Sequence, residues 1–353
     1  MQTAALAFLR CPLSGETLSL MNEKFSSVKS GEVDVGILIT QSGAAYPILE
    51  GVPRLLPDSF FEHRDFLRQH LDDYEARESA MIRKFETLLA LAERKNRRTR
   101  GSFSKEWQDY DYQSGKTWNM DVQEQLEQFF RESAESPDSL KGRIMLDAGC
   151  GNGQLAMQLA SSGATVFAMD FSSAVVRAAS GNPFPSCHFI QADVEFPPFE
   201  NSLFRLIHSS GVLIHTRNTR NAFRGLLPFL ADDGKMSIWV YRHRQELLHR
   251  LFNQMREFTA RMPAAQQHFF LRYLIFYPAF LLKEMKGSRQ RADELWVEVM
   301  DWFTPEYRWE HEEEEVLNWY RDSGFATAGI SDQNYWGFSV LGERISPENQ
   351  QGN

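Results

Sequence analysis

With 353 residues, 42% of them hydrophobic, the chain has material for two domains, or for one with large additions, around a sizeable core. A net charge of −9 argues against a surface built to displace counterions from a nucleic-acid backbone, so nucleic acid is not the expected partner. Three scattered cysteines (Cys11, Cys150, Cys187) exclude a disulfide scaffold. Nothing at the start reads as a secretory signal peptide, and the expected location is cytoplasmic.

Residues 1–57 hold short β-prone runs between Gly and Pro turns, among them Ile37–Thr40 and Tyr46–Pro57, which predict a small β-rich domain packed by Ile37, Ile39, Tyr46 and Ile48. Cys11 is its one thiol, and a structural zinc ion wants four ligands, so no metal is expected. From Asp58 to about Arg100 the pattern is helical, with Phe85, Leu88, Leu89 and Ala92 on one face. The basic run Arg94–Arg100 suits a helix C-terminus, which Gly101 is expected to stop. Aromatic residues then crowd the chain (Trp107, Tyr112, Trp118), followed by an amphipathic segment with Leu126, Phe129 and Phe130. This stretch reads either as a lid whose aromatics touch a ligand or as an aromatic core holding a helix to a sheet. Residues 58–140 are thus a helical linker and lid, ending in Ser136-Pro-Asp-Ser139.

Ile144–Leu146 is a short apolar strand, Asp147–Gly153 a glycine-rich turn, and Leu155–Ala160 restarts at helical spacing. Gly149, Gly151 and Gly153 alternate, whereas a dinucleotide fingerprint needs G-x-G-x-x-G; Gln154 stands where its third glycine would fall. Asp147 would repel a diphosphate and suits a cationic or amino-acid-like ligand. Further strands end in acids at Asp170 and Asp193, and Leu203–Ser210 and Gly234–Tyr241 complete a series of five.

These strand ends resemble those of the class I S-adenosylmethionine (SAM) methyltransferases of the bacterial UbiE/MenG-like type, closely over about 141–242. The resemblance implies an α/β fold: a doubly wound, seven-stranded Rossmann-like sheet over 141–345, with a helical insertion after the fifth strand at about 242–303. It implies SAM as cofactor and S-adenosylhomocysteine (SAH) as its product. Asp147, Gly149 and Gly151 would hold the methionine part, Asp170 the ribose and Asp193 the adenine, with Cys150, Phe171, Val194 and Ser209 also in the cofactor site. The N-terminal domain resembles a Trm112 zinc-ribbon-like domain, but Ser14, Ile39 and Ser42 replace three of its four cysteines. That arrangement also resembles ribosomal RNA methyltransferases, which keeps RNA methylation as an alternative.

His208 and His215 flank the Ser209–Gly211 turn; His215 is a candidate general base or an organiser of the loop. Tyr241 is a second catalytic candidate, and with Arg242, Trp107, Tyr112 and Trp118 a candidate for substrate contact. Within the insertion, Phe269–Leu282 is an apolar run of 14 residues broken by Arg272 and Pro278, too short to span a bilayer. It reads as an interfacial helix making peripheral membrane contact, as the wall of an apolar pocket, or as part of a buried helical pair. Residues 346–353 are expected to be a disordered tail. A sulfonium is an excellent leaving group, so the expected protein mainly aligns an acceptor for in-line displacement. The acceptor class is a small molecule, a lipid-linked intermediate or a specialised metabolite; a non-catalytic SAM-binding scaffold is the alternative outside enzymes.

Overall fold

The computed structural model describes residues 1–25, 31–109, 120–287 and 291–345, apart from the side chains of 93–109 and of 248, 264, 293, 297 and 301. Tyr112, Trp118 and the tail from 346 therefore lie outside the described residues, and Trp107 is described only as helical backbone.

The centre is a mixed sheet. Strands β1 (Ser19–Phe25), β2 (Val33–Ile39), β3 (Ala45–Leu49) and β4 (Val52–Leu55) precede β5 (Ile144–Ala148), β6 (Thr165–Asp170), β7 (Cys187–Ala192), β8 (Phe204–Ser210), β9 (Leu230–Arg242), β10 (Glu310–His311), β11 (Thr327–Gln333) and β12 (Gly337–Glu343). Their order is β1-β2-β3-β4-β7-β6-β5-β8-β9-β12-β11, with β10 paired to β9. Strands β5 to β9 are mutually parallel, and β12 returns antiparallel on β9. Strands buried on both faces must be apolar throughout, which is why Met145, Leu146, Val166, Phe167 and Ile190 follow no alternation. The order reverses at β5, and in such sheets the crevice for ligands opens beyond the carboxyl ends of the strands at that switch.

The expected seven-stranded sheet is corrected to one of 12 strands. Seven consecutive strands run from β7 to β11, and the sheet continues because fully buried β4 pairs in parallel with the edge of β7 (Arg54 opposite Gln191, Leu55 opposite Ala192). An open edge of a sheet is a row of unpaired backbone groups, and β4 caps it. Behind β4, Ile37, Tyr46 and Ile48 are fully buried, and Cys11 Sγ lies 3.3 Å from the Tyr46 hydroxyl.

Gly101 does not stop the long helix, which runs from Tyr74 to Asp109. A glycine inside a helix costs only about 1 kcal/mol, so flanking helix formers carry the backbone through it. The interruption is instead at Phe85, with φ −125° and ψ 17°.

The insertion folds into helices Leu247–Ala260, Ala264–Phe270, Tyr277–Met285 and Ala292–Phe303, with a π-helical turn at Leu271–Phe276. Pro278 falls in the first turn of its helix, where no N–H is needed, and so breaks nothing. One side of the 269–282 run packs Leu271 and Phe276 against Leu295, Val299 and Phe303. The buried-pair reading covers only that side: Phe269, Tyr273, Leu274, Leu281, Leu282 and Met285 are exposed. No helix of the described residues is long and apolar enough to cross a membrane.

Candidate functional site

The turn after β5 is shaped by glycine where side chains have no room. Gly149 has φ +97°, and a Cβ there would lie 2.1 Å from Val212 Cγ2; at Gly153, φ +72°, it would lie 2.4 Å from the Phe189 ring. The amides of Gly149 and Cys150 both donate to the Met169 carbonyl, at 2.7 and 3.0 Å, drawing the turn across the end of β6. Gly153 then caps helix Gln154–Ser161.

Three acids stand at adjacent strand ends. Asp170 accepts from the Gly151 amide on Oδ2 (2.9 Å) and from the Ser172 amide and hydroxyl on Oδ1 (2.8 and 2.7 Å). A carboxylate has about four acceptor positions, so these three bonds leave capacity on Oδ2. Burial pushes the Asp170 carboxyl up from its ordinary range, against the pull of those donors. Asp193, just beyond β7, is buried and accepts from the Glu195 amide at 2.9 Å. Asp147 is buried in β5, and its Oδ2 has no hydrogen-bond partner among the described residues.

The other predicted cofactor residues are built into the frame. Cys150 is buried, and burial pushes its thiol well up, which keeps it from acting as a thiolate. The Phe171 carbonyl accepts from Gln191 Nε2 at 3.4 Å, Val194 lies in the main apolar core, and Ser209 donates to the Ala148 carbonyl at 2.8 Å, tying β8 to β5.

Beneath the turn lies a buried ionic triad that pattern reading did not assemble. His208 Nε2 is 2.7 Å from Glu132 Oε2, and its Nδ1 is 3.9 Å from Asp147 Oδ1. Burial opposes the imidazolium, but the two carboxylates outweigh it and lift His208 to about 9. Burial likewise works to raise Glu132, yet His208 holds it below its usual value. Glu132 sits on helix Val122–Ser133, in the amphipathic segment, and also accepts from Gln128 Nε2 at 2.6 Å. An acid on an otherwise apolar face was the available signal.

The remaining candidates gather at the ends of β8 and β9. His215 lies in the Leu213–His215 turn with Nδ1 2.9 Å from the Tyr307 carbonyl, a partner that can only accept, so Nδ1 carries the proton. Its ring centroid is 6.2 Å from that of buried Tyr241. Arg242 leads elsewhere, pairing with Glu313, donating to Gln333 Oε1 at 2.9 Å and lying over Phe338. The cation over Tyr241 is Arg308, 3.9 Å from that ring and 4.0 Å from Trp302.

Residues 145–234 match a family described as a methyltransferase domain. That stretch therefore carries a methyltransferase domain, within a methyltransferase-like α/β fold. No curated protein sequence matches the chain. Among solved structures it is similar to the magnesium protoporphyrin IX methyltransferase of Synechocystis with bound SAH (17% identity, 64% of this chain and 82% of that chain, TM-score 0.37). Another is the 1,6-didemethyltoxoflavin-N1-methyltransferase of Burkholderia thailandensis (15%, 58% and 72%, TM-score 0.36). A third is a putative SAM-dependent methyltransferase of Methanococcus maripaludis (19%, 63% and 84%, TM-score 0.37).

Proposed function

We propose that the chain transfers the methyl group of SAM to a small-molecule or lipid-like acceptor lying over the carboxyl ends of β8 and β9. The observation that carries this reading is the buried, unpartnered Asp147 Oδ2 near the end of β5, next to the glycine turn and to the strand ends that carry Asp170 and Asp193. A buried acceptor left unpaired is costly, and a ligand with cationic groups removes that cost. In this reading Asp147, Gly149 and Gly151 hold the methionine portion, Asp170 takes a ribose hydroxyl on its remaining Oδ2 position, and Asp193 faces the adenine. SAM supplies a methyl group already activated by its sulfonium. The chain's own task is to orient the acceptor and exclude water, for which Tyr241 and Trp302 form an apolar wall.

The domain organisation proposed with it is a degenerate Trm112-like module over 1–57, a linker and lid over 58–140, and a UbiE/MenG-like catalytic domain over 141–345. The exposed side of the insertion is assigned to the surface of an anionic bilayer. Between 261 and 291 the sequence has six basic residues and one acid, in a protein of net charge −9, so this face is apolar and locally cationic.

The test is twofold. Calorimetric titration with SAH should show binding that Asp170→Ala weakens at least tenfold, since a charged hydrogen bond contributes about 1.5–3 kcal/mol. Methyl-labelled SAM incubated with the protein and a cell extract should place label in the small-molecule or lipid fraction. Unchanged affinity in the variant refutes the ribose assignment, and label in RNA alone refutes the acceptor class.

A further inference from the structure

The helical insertion and the segment before β10 together bury two arginines, each with two nitrogens unused. Arg256, on helix Leu247–Ala260, is 8% exposed, and Arg308 is 6% exposed. Nε and Nη1 of Arg256, and Nε and Nη2 of Arg308, are shielded from solvent with no hydrogen-bond partner among the described residues. Arg308 spends only Nη1, on Glu310. That carboxylate is already shared with His249 Nε2 at 2.7 Å and Asn253 Nδ2 at 3.2 Å. Glu310 is thus shared by Arg308, His249 and Asn253, and no ion pair within 4.0 Å joins Arg256 to a carboxylate among the described residues. Burial, and then the charge of Arg308, work against the Arg256 cation and are offset only in part by Glu257 and Glu310, yet an arginine side chain stays protonated in proteins. A buried cation with no carboxylate in direct contact is among the costlier features a fold can carry.

The surroundings show what offsets that cost. Arg308 lies against the rings of Tyr241 and Trp302, and Trp336 closes on Trp302 with ring centroids 5.5 Å apart. The Trp309 amide donates to the Ile214 carbonyl at 3.0 Å, and β10 pairs with the end of β9, which fixes this cluster over the same sheet edge as the glycine turn. Two strand spacings, about 10 Å, separate β5 from β9. That suits a small acceptor whose reacting atom meets the methyl group while another group is held by the arginines.

We infer that Arg256 and Arg308 are the binding site for an oxyanion of the acceptor, a carboxylate or a phosphate on an apolar or aromatic body. Four guanidinium nitrogens with unused N–H groups, two on each arginine, can donate to such a group, with the Tyr241 and Trp302 rings beside Arg308. This rests on the acceptor site proposed above and narrows its substrate class.

The test uses the full chain saturated with SAH and three probes: benzoate, phenyl phosphate and neutral benzamide. At least one anion should bind tenfold or more tightly than benzamide, and which one wins separates a carboxylate from a phosphate ligand. Arg256→Met should remove that preference while leaving SAH affinity within twofold. Without any anion, the same variant should melt at a higher temperature than the wild type, because it deletes a buried charge that its neighbours compensate only in part. Benzamide binding as tightly as both anions, or an Arg256→Met variant that keeps the preference or melts lower, overturns the inference. SAH that fails to bind refutes the methyl-transfer reading instead, through a separate measurement.

Discussion

Replacing His208 by Gln is the sharpest probe of the buried triad under the glycine turn. In the folded chain, burial works against the imidazolium, but Glu132 at 2.7 Å and Asp147 at 3.9 Å lift His208 from 6.5 to about 9. A folded value above the unfolded one means the stabilisation is fully present below pH 6.5 and is lost as pH rises through 9. A rise of this size corresponds to on the order of 3 kcal/mol at low pH, most of which remains at pH 7 and almost none at pH 10. Glu132, held low by His208, acts at the other end: its contribution is present above the unfolded carboxylate value and is lost as pH falls through the folded one. Urea unfolding of the wild type and His208→Gln, from pH 6 to pH 10, measures the difference directly. The wild type should be more stable by roughly 3 kcal/mol at pH 6, with the gap closing by about 2 kcal/mol or more by pH 10. Two curves that run parallel across that range would refute the charged triad, whatever the constant offset between them.

Gly149→Ala should cost about 1–3 kcal/mol in denaturant midpoint and weaken SAH binding, because the new Cβ meets Val212 at 2.1 Å in a backbone with φ +97°. Gly225→Ala, in helix Thr219–Leu226 with nothing within 4 Å, is the control and should be neutral or stabilising by up to about 1 kcal/mol. To test the proposed bilayer contact of the insertion, the wild type should sediment with vesicles containing phosphatidylglycerol and less with pure phosphatidylcholine, and the double variant Leu281→Glu, Leu282→Glu should stay in the supernatant. A wild type that sediments with neither refutes that assignment.

The candidate cofactor half is the part local pattern could reach. Strand β5, its glycine turn and the following helix are consecutive in sequence, and the apolar runs ending at Asp170 and Asp193 announce themselves as buried parallel strands. What escaped depends on pairs distant along the chain. Nothing near Val52–Leu55 says that this strand will complete the edge at Gln191 and Ala192, and so enlarge the sheet beyond seven strands. His208 reads as a loop-flanking histidine until the fold brings Glu132, 76 residues away, against it. Gly101 looked like a terminator because glycine often is one, yet its penalty is small beside the summed propensity of a long helix.

Arg256 illustrates the same limit with a functional consequence. It follows Phe252 and Met255 on helix Leu247–Ala260, where an arginine ordinarily marks the wet side. Only the packing of helix Ala292–Phe303 and the segment around Arg308 puts it inside. The two halves of the proposed site then differ in sign: carboxylates at the ends of β5, β6 and β7, guanidinium groups beyond β9. With strands about 4.8 Å apart, fields of opposite sign operate over roughly 10 Å in a region largely shielded from water, where charges interact more strongly than in bulk. A cationic methyl donor is drawn to the first half and repelled by the second, and an anionic acceptor behaves in reverse. In the proposed site, each ligand would thus be directed to its own end before any short contact forms, which would order the in-line geometry that methyl transfer needs.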